Sequence, residues 1–217
     1  MGDMHPALKP VVADLQRIFG TRLLSLVAYG PPDHPDGAHT LALVERLDFQ
    51  DLTACAPRTS DWRRAGAAVP LLLSREEFLR TLDVFPVEYG SIIANHQLVA
   101  GENVLASMQI AEADLRRGCE LQVKSHLIHL REGFVETGGD PGRVARLIAA
   151  SAPGLRALME HLEQLDSEAA ARAGLTPELV REVAGASSTS IADPSPLLAR
   201  YLTAVERLWQ EVDRWRA

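Results

Sequence analysis

The chain has almost no lysine. Of its 22 basic residues only Lys9 and Lys124 are lysines, and the rest are arginine. Such a bias reads as coding from a GC-rich genome. Acidic residues outnumber basic ones, 29 against 22, for a net charge of −7. General nucleic-acid binding needs a stripe of Lys and Arg to displace counterions from phosphates, and no basic cluster is present. A nucleotide or a cationic small molecule is still compatible with this charge. Cysteine is also scarce. Cys55 and Cys119 form no CxxC pair and no four-ligand zinc spacing. A reduced, cytoplasmic protein is therefore expected. No apolar run approaches the ~18 residues of a membrane span. The opening Met1-Gly2-Asp3-Met4-His5-Pro6 lacks the basic-then-apolar pattern of a secretory signal. There is no Walker A sequence and no Gly-x-Ser-x-Gly elbow.

What is present is ordinary globular composition, 47% apolar and 24% charged over 217 residues. That length allows one large domain or two small ones. Leu8, Val11, Val12, Leu15, Ile18 and Phe19 recur at helical spacing and predict a helix over 7–19, ended by Gly20. The run Leu23–Tyr29, closed by Gly30, predicts a strand buried on both faces. Residues 31–38 hold three prolines and a glycine and predict a loop. Thr40–Val44 and Val69–Leu73 predict two more strands. Between them residues 49–66 read as a helix interrupted at Pro57, with Leu52, Cys55, Trp62 and Ala65 inward. Ser74-Arg75-Glu76-Glu77 is a capping box opening a helix to about Leu82.

After residue 85 the pattern changes. Val87–Ile93 and Gln97–Ala100 predict short strands. Leu115, Cys119, Val123, Leu127, Leu130 and Phe134 then predict one long amphipathic helix. Asp140-Pro141 and Thr176-Pro177 are helix starts. Residues 187–196 predict a loop. Tyr201, Val205, Leu208, Val212 and Trp215 form a packing seam, expected inside an intramolecular bundle. The expected fold class is α+β. A small mixed-sheet α/β domain over 1–108 precedes an all-helical bundle over 109–217.

This layout resembles the nucleotidyltransferase superfamily with the DNA polymerase β-like fold. The helical second half is similar to that of the kanamycin nucleotidyltransferase group and of proteins with HEPN-type bundles. Leu24-Ser-Leu-Val-Ala-Tyr-Gly30 resembles the strand leading to that family's Gly-Ser phosphate loop. Asp36-Gly37 stands where a loop glycine is often found. His96-Gln-Leu-Val-Ala-Gly-Glu-Asn103 resembles the strand and turn closing the family's first domain. Glu120 and Lys124 stand four apart on the first bundle helix, as in aminoglycoside-modifying members. A little-studied bacterial branch rich in Phe-Pro-x-Glu-Tyr, here Phe85–Tyr89, is similar too.

For an active member the resemblance implies a nucleoside triphosphate and Mg²⁺, held by an acidic pair at i and i+2 on the second strand. Such a pair points to one face and can share a cation. This sequence departs from that pattern. Pro31 replaces the serine after Gly30, and Ala38-His39-Thr40-Leu41-Ala42-Leu43 carries no acid. Imidazole with Leu is not a hard-oxygen site. Asp33 and Asp36 are the loop carboxylates, with turn formation as the simpler reading, and Glu88 is a candidate third carboxylate. Gly30, Asp33, Asp36 and Glu88 are thus the candidate nucleotide-binding set, with no metal site assigned.

By resemblance Glu120 would act as general base and Lys124 would contact phosphate. The plain alternative is an i,i+4 helix pair worth about 0.3–0.5 kcal/mol. His126 and His129 stand at a metal-compatible spacing but lack a third ligand in sequence. Arg156 and His161 match the Arg-x4-His spacing of HEPN ribonucleases loosely. Trp62, Trp209 and Trp215 read as core or interface anchors. The expected function is a nucleotidyltransferase-like protein with degenerate metal carboxylates, inactive or binding a nucleotide or small molecule in the interdomain cleft. The rivals are an active adenylyltransferase on a small hydroxylated acceptor such as an aminoglycoside, and a toxin–antitoxin-type interaction protein. A homodimer is the default assembly.

Overall fold

The computed structural model describes residues 5–30, 37–186 and 193–215. Two compact units divide the chain, Met1–Ala111 and Glu112–Ala217. The fold is α+β, with a small mixed sheet followed by helices.

In the first unit, a 3-10 turn over Pro6–Leu8 leads into α1 (Lys9–Phe19). β1 (Leu23–Tyr29) and β2 (His39–Val44) follow. Pro57 interrupts the next helix as expected. α2 (Phe49–Cys55) and α3 (Thr59–Ala65) are joined by a 3-10 turn over Ala56–Arg58. Then come β3 (Leu71–Ser74), α4 (Arg75–Arg80), α5 (Pro86–Ala94) and β4 (His96–Gly101). Both halves of the Ser74/Glu77 capping box are formed.

The strands lie in the order β3-β2-β1-β4. β1 pairs antiparallel with β2 and β4, and β2 pairs parallel with β3. Both faces of the sheet are covered, so the apolar runs of β1 and β2 are split by the pleat. Leu26, Ala42 and Val44 pack with Val11, Leu15, Phe19 and Trp62 on one side. Val27, Leu41 and Leu43 pack with Phe78, Tyr89, Ile92 and Leu105 on the other. This is the burial expected of strands without polar alternation.

Three expectations need correction. Val87–Ile93 is helical, within α5, rather than a strand. A short apolar run cannot separate the two by periodicity. Pro86 at the first helical position favours the helix, and Tyr89 is held by the rings of Phe78 (4.6 Å) and Phe85 (5.5 Å). Leu52 points outward, 43% exposed. Asp51 takes the inward place in α2 instead, where Arg22 holds it with two hydrogen bonds (2.9 and 2.7 Å). That pairing keeps the Asp51 carboxyl below the usual carboxylate range. Phe134 is exposed, because the buried stripe of its helix stops at Leu130.

The second unit holds α6 (Glu112–Glu136), α7 (Pro141–Leu165), α8 (Ala169–Ala173), α9 (Pro177–Ala184) and α10 (Ser195–Arg214). Asp140 and Thr176 cap α7 and α9 through their side chains, as their sequence signals predict. The α10 seam is intramolecular. Tyr201, Val205, Leu208 and Val212 are fully buried, and α10 packs on α6 and α8. Residues 187–192, most of the expected loop, lie outside the described residues.

Candidate functional site

The first unit has a recess at the end of β1 where the chain leaves the sheet. Its volume is about 320 Å³. Tyr29 comes from β1 with Gly30 directly after it, His39 from β2, and His96 and Gln97 from β4, and His5 and Leu8 also line it. Tyr29 and His39 sit opposite each other in the β1–β2 register and meet edge to face at 5.7 Å. His96 is fixed on both nitrogens, by the Ile93 carbonyl (2.9 Å) and Asn103 Oδ1 (2.8 Å). Gly30 has φ +70°, a conformation that side chains resist, so it can turn the chain sharply out of β1.

This end of β2 is where the resemblance would put a metal-binding pair. Among the described residues, this end of the strand offers no carboxylate pair for Mg²⁺. Two registers are available, and each fails by burial. Positions 39 and 41 share a face, but Leu41 is fully buried in the core on that side. Positions 40 and 42 share the other face, where Ala42 is fully buried against α1 and α3. Thr40 is 1% exposed, and its hydroxyl makes no hydrogen bond among the described residues. Mg²⁺ requires oxygen ligands, usually carboxylates, in near-octahedral array. Among the residues lining the recess there is no Asp or Glu.

The other candidate residues are dispersed. Asp33 and Asp36, with Pro31, lie outside the described residues. Glu88 is on the exposed side of α5, a helix rather than the anticipated strand, and does not line the recess. Glu120 and Lys124 lie one turn apart on α6 with different partners. The Glu120 carboxylate is 3.8 Å from Arg116. The Lys124 ammonium sits 3.5 Å from the centroid of the Trp209 ring, a cation–π contact. Arg156 is exposed and His161 buried on α7. Five residues on a helix are about 140° apart, so the two do not share a face.

Sequence reasoning did not find the second feature, a groove of about 610 Å³ between α6 and α7. His126 and His129 are on its wall. His126 Nε2 lies 2.5 Å from the Tyr201 hydroxyl, which also lies 3.3 Å from Ser151 Oγ. Ser151 donates its proton to the Ile148 carbonyl at 2.7 Å. Either group can be the donor in this contact, according to the imidazole tautomer. Burial lowers the His126 pKa, with His129 nearby adding to the effect. Burial also pushes Tyr201 up to about 12. Both groups are therefore neutral near pH 7.

This has a consequence for stability. An unfolded histidine takes up its proton near pH 6.5, before buried His126 does. Protons then favour the unfolded chain, so stability is full above about pH 6.5 and declines as pH falls through the lower folded value. Thermal melting between pH 7.5 and 5 should show a steeper loss in the native protein than in His126→Phe. Equal slopes would refute a neutral, buried imidazole.

No protein-family profile matches the sequence, and no curated protein matches it. The sheet order, the long helices that follow it and the comparison of structures define a nucleotidyltransferase-like fold. The solved structure of spectinomycin adenyltransferase AAD(9) from Enterococcus faecialis, with ATP and spectinomycin, is similar over nearly the whole chain. The match covers 97% of this chain and 100% of that one, with a TM-score of 0.53 and 9% identity. At that identity the likeness concerns the fold.

Proposed function

We propose that this is a nucleotidyltransferase-like protein that has lost metal-dependent transfer and keeps a ligand site at the β1–β2 recess. The observation that carries this reading is the burial of Leu41 and Ala42. Whichever register β2 is given, the second position of the required acidic pair is a core position. The recess offers imidazole, phenol and amide groups in place of carboxylates, with Gly30 at the turn. These groups suit the base and sugar of a nucleotide, or a similar ring compound, held without a bridging cation. The AAD(9) structure, which holds ATP and spectinomycin, supports nucleotide as the first ligand to try. In the rival reading, an active transferase, Asp33 and Asp36 supply the metal ligands, Glu88 the third carboxylate, and Glu120 and Lys124 the base and phosphate contact.

Calorimetric titration with ATP separates the two. The proposal expects affinity to change by less than about twofold between Mg²⁺ and EDTA, since only a bridging cation would couple them. It also expects no AMP transfer to spectinomycin. Binding that requires Mg²⁺ and is abolished by Asp33→Ala or Asp36→Ala would overturn it.

A further inference from the structure

The second unit leaves one set of apolar side chains unmet. Among its described residues, the large hydrophobic side chains that remain exposed are Leu121, Ile128, Phe134 and Val135, and all four are on α6. Three of them recur every seven residues, Leu121 (71% exposed), Ile128 (41%) and Val135 (77%). Seven residues carry an α-helix round to within about 20° of the same face. The three therefore form a ridge about 21 Å long on the outer side of α6. The buried stripe of the same helix, Cys119, Val123, Leu127 and Leu130, already faces the core of the unit. The ridge is thus a second apolar face that this core does not use. A contiguous apolar patch left in water marks an interaction surface. The seven-residue repeat is the spacing that packs against another helix.

The charges beside the ridge indicate which helix covers it. Arg117 and Lys124 stand towards its N-terminal end, Glu132 and Glu136 towards its C-terminal end. Asp114, one turn further out, is bound to Arg117. A copy of α6 laid antiparallel across Ile128 matches this order. Leu121 and Val135 are each seven residues from Ile128, so Leu121 meets the partner's Val135. Lys124, held over the Trp209 ring, and Glu132 are each four residues from Ile128 and fall opposite one another with opposite charge. Glu120, level with the partner's Glu136, lies about 100° round the helix from Leu121 and is directed to Arg116 at 3.8 Å. A parallel copy would instead set Glu132 and Glu136 against themselves. The ridge is its own complement once reversed, which is what a two-fold axis requires. We propose that the outer face of α6 is an isologous dimer interface, covered by α6 of a second copy of this chain running antiparallel, with Ile128 on the two-fold axis.

Sedimentation equilibrium of the full chain tests this. Between about 5 and 200 μM the native protein should pass from monomer to dimer, with a Kd below about 100 μM. Ile128→Glu sets two carboxylates face to face on the axis and should raise that Kd at least about tenfold. The position is exposed and Glu is a good helix former, so the melting of the monomer should change little. Cross-linking reads the geometry without relying on that variant. Under mild oxidation Ile128→Cys should give a covalent dimer, because only a residue on the axis meets its own copy. Leu121→Cys alone should not, whereas Leu121→Cys combined with Val135→Cys should. The native Cys55 and Cys119 are buried and should not link. A native chain that stays monomeric across the whole range would overturn the proposal and leave the ridge to a different chain. So would a dimer that Ile128→Glu leaves intact, or a cross-link from Leu121→Cys alone, the mark of a parallel pair.

Discussion

Trp62→Ala should destabilise the first unit by about 3–5 kcal/mol, the range for emptying a large aromatic site in a core. Trp62 is fully buried among Leu8, Val11, Leu15 and Cys55 on the α1 side of the sheet. Its indole N–H also donates to Asp14 Oδ2 at 2.9 Å, tying α3 to α1. Asp14 keeps Arg17 as a partner, with Arg58 at 3.9 Å, so the carboxylate stays partly compensated when the indole is lost. The cost then comes mainly from the cavity. Trp62→Phe separates the contributions, because it retains most of the packing and removes the hydrogen bond. It should cost about 1–3 kcal/mol. Urea denaturation followed by circular dichroism measures both. Equal destabilisation by the two substitutions would mean that the hydrogen bond, not the volume, dominates. Leu8 lines the β1–β2 recess, so loosening α1 and its preceding turn should also weaken any ligand bound there.

Gly101→Ala is the second large effect. Gly101 ends β4 with φ +79°, where a side chain is strained. Its Cβ would stand 2.3 Å from the Leu24 carbonyl oxygen, far inside contact distance. The backbone strain alone is worth about 1–3 kcal/mol, and the clash with a main-chain atom adds to it, because Leu24 is fixed within β1. β4 must therefore separate from β1 at that end, where Ser25 pairs with Gly101. Thermal melting should fall sharply. The same β4 carries His96 and Gln97 into the recess, so ATP binding should weaken beyond what the loss of folded protein explains. Unchanged melting would show that β4 can shift without penalty.

Much of the fold was legible because local chemistry and global packing agree. Pro57 breaks a helix for the same reason in any context: it lacks an N–H and crowds the preceding turn. Ser74 with Glu77, Asp140 with Pro141, and Thr176 with Pro177 mark helix starts through hydrogen bonds within four residues. The α10 seam could be read from spacing alone. Val87–Ile93 was harder, since seven apolar-rich residues satisfy both periods, and the start signal at Pro86 together with packing on Phe78 and Phe85 selected the helix. Leu52 was misplaced because Asp51 gained a buried partner 29 residues away, Arg22.

The candidate sites divide in the same way. That β2 carries no acid is a property of covalent order, and no folding can supply one at those positions. The strand pairing then made Leu41 and Ala42 core residues, so no position on that strand offers a carboxylate toward the recess. The groove on the second unit left no trace in the sequence. His126, Ser151 and Tyr201 are 25 and 50 residues apart along the chain. Nothing in their spacing announces them as neighbours, because spacing reports one helix at a time. Only the packing of α6, α7 and α10 brings the three together, turns one imidazole nitrogen inward, and leaves the other facing the gap at Gly154.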